Sequence, residues 1–315
     1  MSKKIIARLD DLTREEWLSL RHIGVGGSEA AAASGLSRWQ SKLGLWLDKL
    51  GQGKPIEESE QMYWGTVMEP VLLAEFSKRT GKEAKPCPFM FQSVEHPWMI
   101  ADIDGYTKEP DGSTSIIEIK TASSFSVNDW ADGVPLQYLL QLNHYFSVTG
   151  LHKGYLVVLI GGNEFQIHEI ERDEEIINNL IALEYDFWQH VVNKIQPEPD
   201  SQSADALNQL YPQANNTSIL LDDTADNLIN DYLNIKAIED DVKAKKAELE
   251  NKLKSMLGQA ELGKSKSGFT VKWSNSTSKR VDTTAMKKDV PELVAKYTKE
   301  STSRRFSVVA PKEGK

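Results

Sequence analysis

The short run 115–120 has strand character, and its last four residues alternate between apolar and polar side chains. The alternation places Glu118 and Lys120 on the same face of the strand. Ile117 and Ile119 point the opposite way, towards a core. The pattern therefore predicts a strand that presents a carboxylate and an ammonium group side by side.

A second apolar run, residues 100–103, precedes this strand, and the turn-forming residues 110–112 lie between the two runs. This order predicts a hairpin. Asp104 directly follows the run 100–103, so the hairpin would bring it close to Glu118 and Lys120. Two carboxylates in such a position form an oxygen site for a hard divalent cation such as Mg²⁺.

The remaining periodicity predicts an α/β protein. Helical spacing of apolar residues predicts helices at 10–20, 40–50, 60–80, 135–149 and 173–192. Further strands are predicted at 89–91, 99–102, 154–160 and 164–170.

The N-terminal region contains a capping box, Thr13 with Glu16, and then a glycine-rich stretch, residues 24–27. Ser28 is predicted to cap a small-residue helix, whose free N–H groups would suit an anion. The stretch is not a P-loop, because no Gly-Lys-Ser/Thr closes it. The simpler interpretation is that the small residues, including 30–33, only allow close packing, and the residues alone favour it.

Two helices carry polar residues that could reach a site. Glu69 precedes Pro70, which predicts a kink or a new helix start. A helical glutamate is usually exposed, although this one could also point into a site. Gln137, Gln141 and His144 share one face of a later helix, which would lie towards solvent or towards an active site.

Composition is ordinary for a globular protein: 315 residues, 40% hydrophobic and 26% charged. The single cysteine, Cys87, excludes an internal disulfide and a multi-cysteine metal site. No apolar run is long enough to span a membrane, and the N-terminus lacks signal-peptide features, so we expect a cytoplasmic protein with no membrane partner. The net charge is −9, but residues 261–315 carry a local balance of +7.

The polar stretch 197–216 predicts a linker between a first domain, 1–196, and a C-terminal module, 217–315. Apolar residues recur at helical or near-heptad spacing from Leu228 to Met256, which predicts a long exposed helix or a short coiled-coil arm.

The basic tail is predicted to pair strands 269–273 and 304–309 and to form a helix at 291–297. This module is a folded accessory unit, a surface for DNA phosphate, or a contact for a partner or another subunit; the sequence favours none of these.

Asp104, Glu118 and Lys120 match the Asp…Glu-x-Lys pattern of the PD-(D/E)xK nucleases, although the motif alone also fits a solvated ion pair. Five segments, in order, resemble the phage lambda exonuclease family, also called YqaJ-type viral recombinase nucleases. These segments are 17–29, 64–69, 101–105, 118–120 and 141–143. The resemblance covers about residues 14–195. It implies a restriction-endonuclease-like core with a mixed central sheet flanked by helices, followed here by the long helix and a small α+β basic tail.

The resemblance implies a Mg²⁺-dependent exonuclease, with Mn²⁺ as a substitute, that digests the 5′-ended strand of linear duplex DNA. The product would be a 3′ single-stranded overhang for a single-strand annealing protein in phage-type recombination. Members of the family form rings of three subunits. A phage or prophage protein of a bacterial host is therefore expected.

The resemblance also implies roles for individual residues. Asp104 and Glu118 look like metal ligands, with the carbonyl of Ile119 as a third. Glu69 is similar to the family's extra acidic residue, which binds or water-bridges a metal. One or two metals per site remain open.

Lys120 looks like the residue that positions or activates the attacking water, and Gln141 like the group that holds them both. Arg21 and Ser28 resemble the pocket for the terminal 5′-phosphate. Asp102 stands where the family usually has serine. Its charge would either add a metal contact or repel the phosphate.

Two alternatives remain. The same metal site would serve a structure-specific or single-strand nuclease, because DNA geometry is set elsewhere. A catalytically inactive module that binds DNA ends is the other alternative, and the presence of Lys120 argues against it.

Overall fold

The computed structural model describes residues 3–54 and 58–309. These fall into two compact units, and the boundary lies between Leu210 and Tyr211. Helices of the first unit are α1 (Arg14–Arg21), α2 (Ala30–Ala33), α3 (Lys42–Lys49), α4 (Glu60–Thr80), α5 (Leu136–Thr149), α6 (Glu174–Asn193) and α7 (Ala204–Leu210). Its strands are β1 (Lys3–Arg8), β2 (Val25–Gly26), β3 (Ala84–Pro86), β4 (Phe89–Ser93), β5 (Met99–Asp102), β6 (Gly105–Lys108), β7 (Thr114–Ala122), β8 (Lys153–Ile160) and β9 (Glu164–Glu171).

Two sheets organise the first unit. The larger has the strand order β3-β6-β7-β8-β9, in which β7 and β8 are parallel and the other pairs are antiparallel. The smaller has the order β1-β4-β5-β2. The predicted α/β core with a mixed sheet and flanking helices is therefore confirmed. Within the described residues, no helix has both the length and the apolar character needed to cross a bilayer.

Strand β7 is covered on both faces, which fixes the orientation of its side chains. Ile117 and Ile119 pack with Phe76 of α4 on one face. On the other face, Ile116 packs with Phe146 of α5. The predicted alternation is confirmed, and it directs the polar side chains of this strand towards α5.

The N-terminal elements agree with the sequence at one cap and differ at another. Thr13 and Glu16 form the predicted capping box at the start of α1. Ser28, in contrast, lies inside a 3₁₀ turn, Gly27–Glu29, that leads into the four-residue helix α2. Its prediction as the cap of a regular helix is therefore wrong, because the chain tightens one turn before α2 begins.

Helix α4 has the predicted bounds and runs without interruption through Pro70. The Ser59 hydroxyl caps its start by accepting from the N–H of Met62, and Gly81 ends it in the left-handed conformation, with φ of 70°. The predicted new helix start at Pro70 is not observed.

The segment predicted as a linker begins as part of the first unit. Ala206 of α7 is buried in a cluster with Trp46 of α3. Nearby, the Asp200 carboxylate accepts from the backbone N–H of Lys42 at 3.1 Å. The first compact unit consequently extends beyond residue 196, to Leu210.

The second unit contains α8 (Thr224–Leu257), β10 (Leu262–Lys264), β11 (Thr270–Lys272), α9 (Thr283–Asp289) and α10 (Pro291–Tyr297). The predicted long helix and the helix at 291–297 are confirmed. The predicted pairing of 269–273 with 304–309 is wrong. Strand β11 pairs with β10 instead, across a turn in which Gly268 has φ of 92°, because a local hairpin closes a much shorter loop.

Candidate active site

Two carboxylates meet beside the middle of β7, at the point where β6 begins. Asp104 lies between β5 and β6, and its Oδ2 accepts a hydrogen bond from the backbone N–H of Ile119 at 2.7 Å. The ladder between β6 and β7 ends with Gly105 opposite Ile117. The Asp104 side chain thus takes the place of the next strand partner, close enough to Glu118 for the two charges to repel.

Glu118 is 2% exposed and is held through one oxygen. Its Oε1 accepts from Nζ of Lys120 at 2.5 Å and from Nε2 of Gln141 at 2.6 Å. Its Oε2 is buried and has no hydrogen-bond partner among the described residues. Burial and the charge of Asp104 raise the pKa of Glu118 to about 8. An orphaned oxygen of this kind is a position for a further partner, such as a cation.

Lys120 is a protonated donor in this arrangement. Burial alone would lower its pKa, but the carboxylates of Glu118 and Asp104 outweigh burial and raise the pKa above its usual range. Its ammonium nitrogen lies 5.5 Å from the centre of the Tyr138 ring, within cation–π range. The side chain therefore supplies positive charge and N–H groups near neutral pH rather than a free base.

Helix α5 connects this cluster to the glycine-rich turn. Gln141 donates both to Glu118 and to the hydroxyl of Tyr145 at 2.9 Å. The Tyr145 ring fills the space beside Gly27, where an added Cβ would lie 2.3 Å from a ring carbon. Sequence reasoning missed Tyr145, although its position four residues after Gln141 puts both on one helix face.

A further acidic group lines the cleft beside Asp104. Glu69 and Asp102 share with it a cleft of ≈ 540 Å³. Burial and the charge of Asp104 raise the pKa of Glu69 to about 7. Burial also raises the pKa of Asp102, although Arg21 attracts this carboxylate and the Trp17 side chain hydrogen-bonds to it. Asp102 therefore lies between the acidic cleft and Arg21.

These residues fit a cation that uses few protein ligands. Within residues 3–54 and 58–309, no group of three or more His, Cys, Asp or Glu side chains is arranged to hold a metal ion. Asp104 and Glu118 do meet, and Glu69 lies in the cleft without completing such a group. Mg²⁺ often binds through one or two carboxylates and keeps several waters, which suits this pair and its orphaned oxygen.

Arg21 and Ser28 come together at a separate cavity of ≈ 320 Å³. Nη2 of Arg21 donates to the Ser28 hydroxyl at 3.0 Å and lies 2.8 Å from Oε1 of Glu29. The guanidinium also lies over the Trp17 ring, with 4.9 Å between Cζ and the ring centre. The structure thus brings the two predicted phosphate-binding residues together.

Glu29 holds Arg21 in this pocket, and the sequence assigned it no role. Its Oε2 accepts from Nζ of Lys49 at 2.6 Å and from the backbone N–H of Gly26 at 2.8 Å. Burial alone would raise its pKa, but Arg21 and Lys49 lower it to about 2. Arg21 and Lys49 therefore share one carboxylate, so these three groups together carry one excess positive charge. No local pattern indicates the contact with Lys49, which comes from packing of α3.

His144 lies away from the acidic cleft. Its Nδ1 is 2.8 Å from Oε1 of Glu184, and its Nε2 is 2.8 Å from the carbonyl oxygen of Ile100. Both residues of the pair are fully buried. Of the polar face predicted on this helix, Gln141 reaches the site, whereas His144 fastens α5 to α6 and β5.

Comparison with known families places the candidate residues in one matched segment. Residues 16–152 match the model of the YqaJ-like viral recombinase domain. Over 97% of its own length and 97% of the relative's length, the chain is 34% identical to the uncharacterized protein YqaJ of Bacillus subtilis (strain 168).

Solved structures of two exonucleases resemble part of the chain. One is an alkaline exonuclease, LHK-Exo, from Laribacter hongkongensis, with 22% identity over 57% of this chain and 94% of that chain and a TM-score of 0.47. Its complex with dAMP gives a TM-score of 0.49 over the same shares. The other is a phage-related exonuclease from Haemophilus somnus 129PT, with 11% identity over 57% of this chain and 99% of that chain and a TM-score of 0.41.

Proposed function

Because the chain belongs to the YqaJ-like viral recombinase family, we propose that it is a Mg²⁺-dependent 5′-to-3′ exonuclease acting on ends of linear double-stranded DNA. The observation that carries this proposal is the Asp104–Glu118 pair beside Lys120, with the buried Oε2 of Glu118 lacking a hydrogen-bond partner among the described residues. A solvated ion pair on a hairpin would be exposed, whereas Glu118 is buried and held by Gln141.

Asp104, Glu118 and the carbonyl of Ile119 would hold the cation, and Glu69 would contact it directly or through water. When bound, Mg²⁺ or Mn²⁺ would stabilise charge on the attacking and leaving oxygens of the phosphodiester. The high pKa values of Glu118 and Glu69, about 8 and about 7, support this role. They reflect burial first and the nearby charge of Asp104 second, and a bound cation would offset both.

Lys120 would orient the attacking water and steady negative charge that develops on the phosphate. Its raised pKa supports donation by an ammonium group rather than removal of a proton. Gln141 would fix the Glu118 carboxylate, because its amide donates to Oε1 at 2.6 Å. Tyr145 would help to hold Gln141 in place, because its hydroxyl accepts from the same amide nitrogen at 2.9 Å.

Arg21 and Ser28 would bind the terminal 5′-phosphate. A guanidinium suits phosphate because its N–H groups match two oxygens at once. Glu29 supports this role by holding Arg21 in place, and Lys49 compensates the Glu29 charge. Removal of the 5′-ended strand would leave a 3′ overhang, which a single-strand annealing protein would then use for recombination.

The test is digestion of a linear duplex with Mg²⁺, with each strand labelled separately and a closed circle as control. We expect progressive loss of the 5′-ended strand, an intact circle, and no cleavage by Lys120→Ala, whose fold is checked by circular dichroism. Cleavage of the circle would favour a structure-specific nuclease. End binding without cleavage under any divalent cation would leave only the binding module.

A further inference from the structure

Helix α8 carries an apolar stripe that no described part of its own unit covers along its length. The helix has 34 residues, which corresponds to about 51 Å. Five apolar residues follow one another at intervals of seven, and each of the five is at least 56% exposed. These residues are Leu228, Ile235, Val242, Leu249 and Met256.

A second set of positions, each three residues before a member of the stripe, completes a heptad seam. It consists of Ala225, Tyr232, Glu239, Lys246 and Leu253. Seven-residue spacing sustained over four repeats, from 228 to 256, is typical of helices that supercoil around a partner helix. Tyr232 touches the ring of Phe306, at 5.7 Å between ring centres, and is still 41% exposed.

The remaining faces of α8 are those of a solvated helix. Ion pairs four residues apart join Lys243 to Glu239 at 2.6 Å and Lys245 to Asp241 at 2.7 Å. Such pairs stabilise a single helix only slightly. They leave the apolar seam in water, and an exposed apolar surface of this length is typical of a protein contact.

We propose that α8 pairs with α8 of a second copy of this chain as an antiparallel coiled coil. The two charged seam positions decide the orientation. In a parallel pair, Glu239 would face Glu239 and Lys246 would face Lys246, two layers of like charge inside the contact. An antiparallel pair avoids both layers.

Placing the two helices side by side, antiparallel and overlapping over their full length, gives a consistent seam. Thr224 of one copy then lies opposite Leu257 of the other, and each seam position meets a stripe position. Glu239 lies about one turn from Lys246 of the second copy, so the central layers are neutral in sum. Asp231 comes opposite Lys252 at the edge of the seam.

One contact along the opposite flank of the seam is weakly unfavourable. Lys236 comes near Lys243 of the second copy. Lys243 is already paired with Glu239 of its own helix, which reduces that repulsion. The apolar layers on both sides, including Tyr232 opposite Leu249, favour the same alignment.

The first test uses the full chain, of 35.4 kDa, in sedimentation equilibrium. Ile235→Gln lies in the seam, and Leu233→Gln lies two residues away on the outer face; glutamine keeps the helix propensity. We expect Ile235→Gln to raise the dissociation constant of the α8-mediated association at least tenfold. Leu233→Gln should leave it unchanged. Equal behaviour of wild type and both variants would overturn the proposal.

A charge exchange tests the orientation and does not depend on any one variant. Glu239→Lys should weaken association, because the introduced ammonium group would lie near Lys246 of the second copy. Adding Lys246→Glu to the same chain should restore association. In a parallel pair, the exchange would restore nothing.

Cross-linking in a Cys87→Ser background gives an independent readout of orientation. Chains with Ala225→Cys mixed with chains with Met256→Cys should form a mixed disulfide. Cross-linking of Ala225→Cys chains with each other would overturn the antiparallel pair.

Discussion

The ion-pair network around Glu29 yields a quantitative prediction. Glu29 is 6% exposed, and its two oxygens are held by Arg21 at 2.8 Å and Lys49 at 2.6 Å. The substitution Glu29→Gln preserves the shape of the side chain and removes its charge. The buried Lys49 and the partly buried Arg21 then lose this counter-ion.

The pKa of Glu29 gives the magnitude. Its lowering from 4.5 to about 2 corresponds to about 3 kcal/mol of stability. Because the folded-state pKa is the lower one, this stability is fully present above pH 4.5 and is lost as the pH falls towards about 2. Glu29→Gln should therefore lower the free energy of unfolding by about 3 kcal/mol at pH 7 and flatten its fall in acid.

Urea unfolding between about pH 2 and pH 7 measures both effects. The matched control is Glu75→Gln. Glu75 pairs with Arg79 at 2.7 Å, but the two side chains are 30% and 49% exposed, so solvent screens the pair and its loss should change the free energy of unfolding far less than the loss of Glu29. If Glu29→Gln and wild type keep the same difference in stability at every pH, the reasoning about Glu29 is wrong.

Three further predictions concern the site. Gly27→Ala should lower the free energy of unfolding by about 1–3 kcal/mol, measured by thermal unfolding, and should slow cleavage. The reason is that the new Cβ would lie 2.3 Å from the Tyr145 ring. Gly65→Ala is the control, because the nearest atom to its Cβ would be 3.8 Å away. Arg21→Ala should abolish the preference for 5′-phosphorylated over 5′-hydroxyl ends in cleavage assays, and unchanged discrimination would remove Arg21 from the phosphate pocket. Without divalent cations, the free energy of unfolding should fall as the pH rises from 4.5 through about 8, because folded Glu118 retains its proton over this range and the unfolded chain does not. Adding Mg²⁺ at pH 8 should raise the melting temperature. A melting temperature that does not change with Mg²⁺ would argue against the cation site.

The sequence was most informative where chemistry and periodicity coincide. The alternation in β7 predicts that Glu118 and Lys120 share one face of the strand and that Ile117 and Ile119 share the other, because side chains alternate with a two-residue period. The turn at 110–112 and the run before it predict the approach of Asp104 to Glu118. The capping box at Thr13 is equally local.

Contacts between distant segments were not accessible in the same way. Strand β1 was not predicted, because Lys3–Arg8 is mostly exposed and lies at the edge of its sheet, beside β4. The pairing of Glu29 with Lys49 depends on how α3 packs. For the tail, the sequence predicted that 269–273 would pair with 304–309, but it could not show that β11 finds a nearer partner in β10.

The contacts from Gly27 through Tyr145 and Gln141 to Glu118 join the phosphate pocket to the acidic pair by packed side chains. In the proposed reaction, the distance between the bound 5′-phosphate and the phosphodiester bond that breaks is then constant. The enzyme would therefore remove units of constant size. A change at the Gly27 end should alter the length of the released product as well as the speed of its release.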